Sequence, residues 1–490
     1  MTTPARLAQA IAIVTAGSLV VAGLVLLLRD AGASGPSRSA PEPPPPLIFA
    51  REGCSLTNDD AARAFVTGAD GGASLVVGDR RYWLFGDTVL SAASGRQIEP
   101  NSIASSAVPA GRGCPQLTYH AGPSGAVPFL EKDGSLTVWP SGAWPLDDAS
   151  FLVYATYVYG QGPYDYWIGE VGVARVDTRT MTAEVLARRL WDADSGFRSQ
   201  VIGTQVVEAG SDGRLRFVLE TESGHRLLAR ASPGQIAEAA AYEFWDGDGW
   251  TADEARAAPL WAIAAASSDL ERLVSEEAAG TIAYDDAGGR YLSIVNVGAA
   301  RLVARTAARL EGPWSAPVDW LDCTSFAQPA VPVCYSPYQH PQLASEDGRT
   351  IFLTLTRLAT YDVVALELRP ATPVRKYRPD DGTVTYGVTP PSGADEGIAF
   401  YASDVLLPGF ARIYAWTRGE ETMFGADAPE GFERGEPLFY APLAQKVDGS
   451  LLTYRPVYDW RAGDTHLLSK QAAGLETEGY TRGEVVFYAP

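Results

Sequence analysis

The chain has 490 residues, 46% hydrophobic and 20% charged. That is an ordinary globular balance at a length beyond what one core usually organises, so two folded units and an anchor are expected. A net charge of −20 repels phosphates and anionic headgroups, which argues against nucleic acid and favours neutral or cationic ligands.

The first element is apolar. No charged residue occurs from Leu7 to Leu28, with Arg6 before the run and Arg29 and Asp30 after it. About 22 residues at about 1.5 Å each match a bilayer core of about 30 Å. Residues 1–30 therefore read as a membrane anchor with Arg6 on the cytoplasmic side and the chain beyond Asp30 outside. A cleaved signal is the alternative: its apolar core is usually only about 7–15 residues, but Ala31-Gly32-Ala33 offers a cleavage site. Either outcome exports the remainder to an extracytoplasmic location. Residues 31–46, ending in Pro43-Pro44-Pro45-Pro46, read as an extended Pro-rich linker.

From Leu47 to Arg369 the pattern is short strands between turns. Asp133-Gly134, Asp212-Gly213 and Asp347-Gly348 each precede a strand-like run, and Asp-Gly suits type I′ hairpins because both central residues need positive φ. Ile236 to Tyr242 reads as one short helical turn. Regular hairpins over this length predict an all-β fold, a propeller rather than an overfilled sandwich. The 12 Trp and 22 Tyr suit both strand cores and sugar-binding surfaces. Residues 370–396, rich in Pro, Gly and Asp, read as a linker.

An internal repeat follows over 397–490. Gly431 to Pro442 matches Gly479 to Pro490, with a partial earlier copy at Gly397 to Ala402; Ile413-Tyr414-Ala415-Trp416 matches Val457-Tyr458-Asp459-Trp460. Repeats of this kind bury their faces against one another. The four cysteines, Cys54, Cys114, Cys323 and Cys334, include no C-x-x-C, which argues against zinc and thioredoxin-like chemistry. In an oxidising compartment Cys323 pairs with Cys334 and Cys54 with Cys114; otherwise they are buried thiols.

No G-x-S-x-G, P-loop or H-E-x-x-H is present. Asp246-Gly247-Asp248-Gly249 begins like a calcium loop but lacks the later bidentate Glu, so it reads as a turn. No cofactor is implied, and structural calcium is the one metal left open. Carboxylates beside aromatics remain, the equipment of glycoside hydrolysis. They fall in Thr67-Gly68-Ala69-Asp70-Gly71-Gly72, Tyr82-Trp83-Leu84-Phe85-Gly86-Asp87-Thr88 and Asn101-Ser102, then at Trp144, Trp314 and Tyr338-Gln339-His340-Pro341.

These motifs resemble the bacterial family known as domain of unknown function 4185, over about Leu47 to Leu368. The resemblance implies a five-bladed β-propeller related to endo-D-arabinanases, which cut the arabinan of mycobacterial cell walls. It implies Asp70 and Asp87 as catalytic carboxylates at a central funnel, with Glu277 (or Glu276) as an acid. Asn101, Trp144, Trp314, Tyr338 and His340 are the implied sugar contacts. The C-terminal repeats resemble a second uncharacterised bacterial family, implying a trefoil-like module. Here Gly463-Asp464-Thr465-His466 carries one inserted Thr, and Gly419-Glu420-Glu421-Thr422 lacks the His. Two functions stay open: a glycoside hydrolase-like ectodomain acting on cell-envelope polysaccharide, and a glycan-binding or adhesion propeller without a competent acid.

Overall fold

The computed structural model describes residues 41–57, 62–108, 115–162, 165–192, 200–262, 277–298, 300–325, 333–345, 347–379, 383–389, 394–471 and 474–490. The apolar run Leu7–Leu28, Glu276, and the Cys54–Cys114 pairing through its second cysteine lie outside them. Among the described residues no helix is long and apolar enough to cross a membrane. The fold is all-β, and residues 40–490 form one compact unit.

Among the described residues of 47–370 there are five antiparallel sheets of four or five strands, with a two-stranded ribbon of Ala121–Gly122 and Gly125–Ala126 beside them. Sheet I is built on Val66–Val77 and Arg80–Leu90, with Ser102–Ala107 and Thr118–Tyr119 outside them. Sheet II is Thr137–Asp147, Ser150–Gly162, Asp165–Asp177 and Thr182–Asp192; sheet III starts with Val201–Ala209, Leu215–Thr221 and Arg226–Ala231. Sheet IV is Glu277–Asp285, Arg290–Val297, Arg301–Ala307 and Val318–Asp322. Sheet V runs Cys334–Gln339, Ile351–Arg357, Asp362–Pro370, and takes Leu47–Ser55 as its outer strand. The start of the ring is thereby hydrogen-bonded to its end.

One apolar cluster lies at each junction. Leu84 and Val153 share one between sheets I and II, Tyr154 and Phe217 one between II and III, and Val218 and Ile282 one between III and IV. Ile294 with Leu366 and Phe85 with Val363 join sheets IV, V and I. Each sheet is thus apolar on both faces. This explains why Phe151-Leu152-Val153-Tyr154-Ala155 shows no alternation: every one of these residues is buried.

The Asp-Gly turns divide. Only Asp133-Gly134 has positive φ at both residues (45° and 85°). At 212–213 and 347–348 Gly alone is left-handed, and the Asp carboxylate instead accepts the N–H of Arg214 or Arg349. The helical turn expected at 236–242 appears as two 3-10 turns, Pro233–Gln235 and Ala239–Ala241. Asp246 Oδ1 accepts the N–H groups of Asp248 and Gly249, the geometry of a turn.

Two expected linkers are corrected. Residues 42–46 dock on sheet IV: Thr306 Oγ1 donates to the Glu42 carbonyl at 2.8 Å and Trp320 Nε1 to that of Pro45 at 2.9 Å. Residues 370–396 contain most of the first C-terminal repeat. Thr372–Arg378 pairs with Thr385–Gly387 and with Ala394–Ala402. The second repeat is Phe410–Arg418, Glu421–Gly425 and Glu433–Pro442; the third is Arg455–Ala462, Thr465–Ser469 and Thr481–Ala489.

The three repeats meet at Phe400, Phe439 and Phe487, whose ring centroids lie 5.1–5.3 Å apart in all three pairings. The three copies share one apolar cluster, and each repeat is its own three-stranded sheet. His466 is buried between the second and third repeats, with Nδ1 2.9 Å from Asp459 and Nε2 3.5 Å from Glu421. Tyr454 Oη donates to the Ile48 carbonyl at 3.0 Å and Leu451 N–H to that of Ala50 at 2.7 Å, tying this domain to the first strand of the ring.

Cys323 and Cys334 form a disulfide with their Cα atoms 5.9 Å apart. The closed loop is short, so loss of the bond through a Cys323→Ala, Cys334→Ala double variant is expected to cost about 2–3 kcal/mol. Urea unfolding of oxidised protein measures it; midpoints that coincide with wild type overturn the expectation.

Candidate functional site

The first strands of all five sheets converge on a cavity of about 730 Å³. Asp70 comes from sheet I, Thr137 and Trp139 from sheet II, Thr204 from sheet III, Thr281 from sheet IV, and Tyr335 and Tyr338 from sheet V. The cavity lies at the end of the ring where Tyr361 sits. The register pairs Leu47 with Pro370 at the other end of sheet V, so the chain enters and leaves the ring opposite the cavity.

Asp70 is aimed inward by a local irregularity. The register slips on either side of Gly71, and Gly71 and Gly72 have φ of 82° and 99°, which only glycine adopts without strain. Its Oδ2 accepts hydrogen bonds from Tyr361 Oη at 2.9 Å and Tyr335 Oη at 3.2 Å. Its Oδ1 lies over the Cα of Gly86, where any Cβ would overlap it. The carboxylate also accepts the backbone N–H of Asp87. Burial, and then the charge of Asp87, push Asp70 up to about 7. Burial and the Asp70 charge hold both tyrosine hydroxyls protonated far above neutral pH, so they remain donors.

Asp87 lies on the strand Arg80–Leu90, where it follows Gly86 into the same cavity. Its Oδ1 accepts from Thr137 Oγ1 at 2.6 Å. The Trp139 indole N–H faces the carboxylate without closing to a full hydrogen bond. Burial raises Asp87 as well, but Thr137, Trp139 and the Lys132 charge oppose it. The two acids are therefore unequal. Asp70 keeps a proton near neutral pH, and Asp87 has the donors and the cation that favour a carboxylate. A pair of titrating groups pushed apart by their surroundings is the arrangement that assigns acid and base roles.

Of the other expected residues, Tyr338 lines the cavity. Asn101 is fully buried outside it: Oδ1 accepts from the N–H groups of Phe129 and Leu130 at 3.0 and 3.1 Å, and Nδ2 donates to the Leu130 carbonyl at 2.9 Å. Its amide ties the loop at 129–130, and the Val138 carbonyl of sheet II at 3.3 Å, to the start of the Ser102–Ala107 strand. His340 is buried between sheets I and V, hydrogen-bonded to Ser74 Oγ at 2.6 Å and Thr354 Oγ1 at 2.8 Å, with its ring 5.0 Å from Trp83. Burial lowers it to about 3, so it stays neutral.

Trp144 packs against the cluster between sheets II and III, and Trp314 packs on Trp261 at 5.2 Å and donates to the Leu310 carbonyl. Neither lines the cavity. Glu277 is taken up by Arg305 at 2.6 Å and by Trp261 Nε1 at 2.8 Å, also outside the lining. The third carboxylate in the cavity is one the sequence reading missed, Glu220, with Arg226 3.7 Å away. A signal was present: Phe217-Val218-Leu219-Glu220 carries an acid after an apolar run within its strand, as Leu84-Phe85-Gly86-Asp87 does.

In shape the chain is similar to several solved structures. A Bacteroides ovatus protein assigned provisionally as a hydrolase has a TM-score of 0.45 at 12% identity, covering 68% of this chain and 93% of its own. An α-L-arabinofuranosidase of Clostridium thermocellum has 0.40 at 12%, covering 65% and 92%. An exo-β-1,3-galactanase of Phanerochaete chrysosporium has 0.40 at 12%, covering 80% and 95%. No curated protein matches the chain in sequence. Residues 56–367, which hold the cavity and every acid in it, match the model of the domain of unknown function DUF4185, and the chain belongs to that family.

Proposed function

We propose that this protein is an exported glycoside hydrolase-like enzyme, membrane-anchored through residues 1–30, that cleaves a neutral cell-envelope polysaccharide such as arabinan. The five sheets are read as the blades of a propeller; the unbroken ring of five apolar junctions supports that count. The observation that carries the function is the pair Asp70 and Asp87, two carboxylates in one cavity whose surroundings separate their affinities for a proton.

Asp70, half-protonated near neutral pH, donates a proton to the departing sugar oxygen. Asp87, raised by burial but with Thr137, Trp139 and the Lys132 charge opposing that rise, takes the carboxylate role: it stabilises the oxocarbenium-like centre by charge and acts as base or nucleophile. Glu220 and the Tyr338 hydroxyl, on other walls, supply polar contacts to the sugar. Thr204 Oγ1 is buried at the same cavity without a hydrogen-bond partner and is a further donor for a sugar hydroxyl.

Purified protein incubated with soluble arabinan, galactan, xylan and mannan, with products separated by chromatography, tests this. Release of oligosaccharides from one of them is expected. Retention of a polysaccharide without any product supports the binding-protein reading instead. Neither retention nor product removes the glycan reading altogether.

A further inference from the structure

A bulky residue with a left-handed backbone is strained, and such strain persists only where the surrounding structure holds it. Tyr361, at the cavity, is one, with φ of 52°. It ends the turn between Ile351–Arg357 and Asp362–Pro370 of sheet V. The base of that turn is braced. The Arg357 guanidinium takes both Asp362 carboxylate oxygens, at 3.1 and 2.7 Å, and Glu52 at 3.1 Å.

This hairpin grips successive residues of the bulged strand that carries Asp70. The Tyr361 carbonyl accepts the Ala69 N–H at 2.9 Å, and the Tyr361 hydroxyl donates to Asp70 Oδ2. Thr356 Oγ1 accepts the Gly71 N–H at 3.2 Å, and Thr354 Oγ1 donates to the Gly72 carbonyl at 3.2 Å. Gly68 makes room for this approach: a Cβ there would stand 2.5 Å from the Tyr361 carbonyl oxygen. Tyr335, beside the left-handed Ser336, brings a second hydroxyl to the same Oδ2. The two hydroxyls are also hydrogen-bonded to each other. Asp70 is thus held by its backbone and its side chain at once, from a different sheet.

We propose that Tyr361, with Tyr335, is a positioning residue that fixes the Asp70 carboxyl and stabilises the carboxylate left when its proton passes to a departing sugar oxygen. In that step the O–H bond of Asp70 breaks and the proton bonds to the glycosidic oxygen. The electron pair of the broken C–O bond stays on that oxygen. The charge left on Asp70 meets two O–H donors already aimed at it. The catalytic part of this role rests on the hydrolase reading; the grip on Asp70 does not. Both hydrogen bonds favour the charged form, against the burial and the Asp87 charge that raise Asp70. Among the described residues, the titratable groups facing Asp70 are Asp87 on its own sheet and Tyr335, Tyr338 and Tyr361 on sheet V. Burial keeps the three tyrosines protonated far above neutral pH.

Infrared titration of the full chain, with the Asp70 carboxyl band identified by its loss in Asp70→Asn, tests the grip without a substrate. In Tyr361→Phe the protonated band is expected to persist about one pH unit higher than in wild type, and in the Tyr335→Phe, Tyr361→Phe double variant higher still. Tyr335→Phe alone, which leaves the strained turn untouched, is expected to shift it the same way and serves if the other variants do not fold. With polysaccharide, Tyr361→Phe is expected to lower turnover about tenfold at pH 5, with KM within about twofold and the alkaline limb moved up with the band. A band midpoint that matches wild type in the folded variants overturns the proposal. Turnover lowered equally at every pH, with the limb unmoved, also overturns it. A shifted band in a protein that cleaves no polysaccharide leaves the grip on Asp70 standing and sinks the hydrolase reading.

Discussion

Asp87→Asn and Asp70→Asn are each expected to lower polysaccharide turnover about a hundredfold or more with the fold intact. The amide keeps the shape of each side chain. At position 87 it removes the negative charge that Thr137, Trp139 and Lys132 are arranged around. At position 70 it removes the proton that burial and Asp87 keep on the carboxyl up to about pH 7. The pH dependence carries the sign. With Asp70 as the acid, turnover falls as pH rises through about 7, because the protonated form is then lost. In Asp87→Asn the residual activity should lose its proton at a lower pH, since the repelling charge on Asp70 has gone. Rates from reducing-sugar release between pH 4 and 9 decide the matter; turnover that rises through pH 7 would make Asp70 the base instead.

Asp70→Asn is also expected to stabilise the protein at alkaline pH. The folded state raises Asp70 from its ordinary 3.8 to about 7, a difference equivalent to about 4 kcal/mol in favour of the protonated form. For a raised carboxyl, the stabilising contribution is complete below the unfolded value and is lost as pH climbs through the folded one. At pH 8 the wild type therefore buries a charge that asparagine does not carry. The gain should reach at most about 4 kcal/mol at pH 8 and shrink towards zero at pH 4. Asp87→Asn should relieve part of the same cost, so the double variant gains less than the sum of the singles. Urea unfolding at pH 4, 6 and 8 measures this. A loss of stability of the same size at every pH would mean that the tyrosine hydrogen bonds to Asp70, rather than its charge, dominate.

A practical consequence follows for engineering the site. Gly86 cannot be changed without displacing Asp70, because a Cβ there occupies the position of Oδ1. Changes at Glu220 do not disturb the Asp70 hydrogen bonds and so separate its contribution from that of the pair.

The acids at 70 and 87 were pointed to by the motifs that carry the family resemblance. The structure adds why both reach the cavity: two bulges beside Gly71 turn Asp70 inward, and Gly86 leaves room for its carboxylate. The same resemblance put Asn101 and His340 among the sugar contacts. Polar residues serve equally well as buried latches, and only the partners distinguish the two roles. Asn101 satisfies two N–H groups and a carbonyl from one loop, and His340 two hydroxyls from different sheets. Glu277 carries the same lesson, since Arg305 lies 28 residues on in sequence and 2.6 Å away in space.

Turn chemistry and cysteine spacing act over a few residues, and they made the all-β class and the Cys323–Cys334 bond legible in the sequence; the acids at 70 and 87 were implied by the family resemblance, and the structure places both at the cavity. The first C-terminal repeat escaped it. Tyr377 stands where the other copies have Trp416 and Trp460, and it is paired with Asp395 where they are paired with Arg434 and Arg482. The side-chain pair at that site survives with different chemistry: an ion pair of Arg375 with Asp395 at 2.7 Å replaces guanidinium-on-ring contacts of 5.3 Å at Tyr414 and 5.0 Å at Tyr458. Only the tertiary structure could decide this, as it decided which acid joins the pair. Burial against residues hundreds of positions away selects the geometry of a core, and many side chains satisfy the same geometry. Phe400, Phe439 and Phe487 are what that geometry holds fixed, three rings on one axis brought together from three separate sheets.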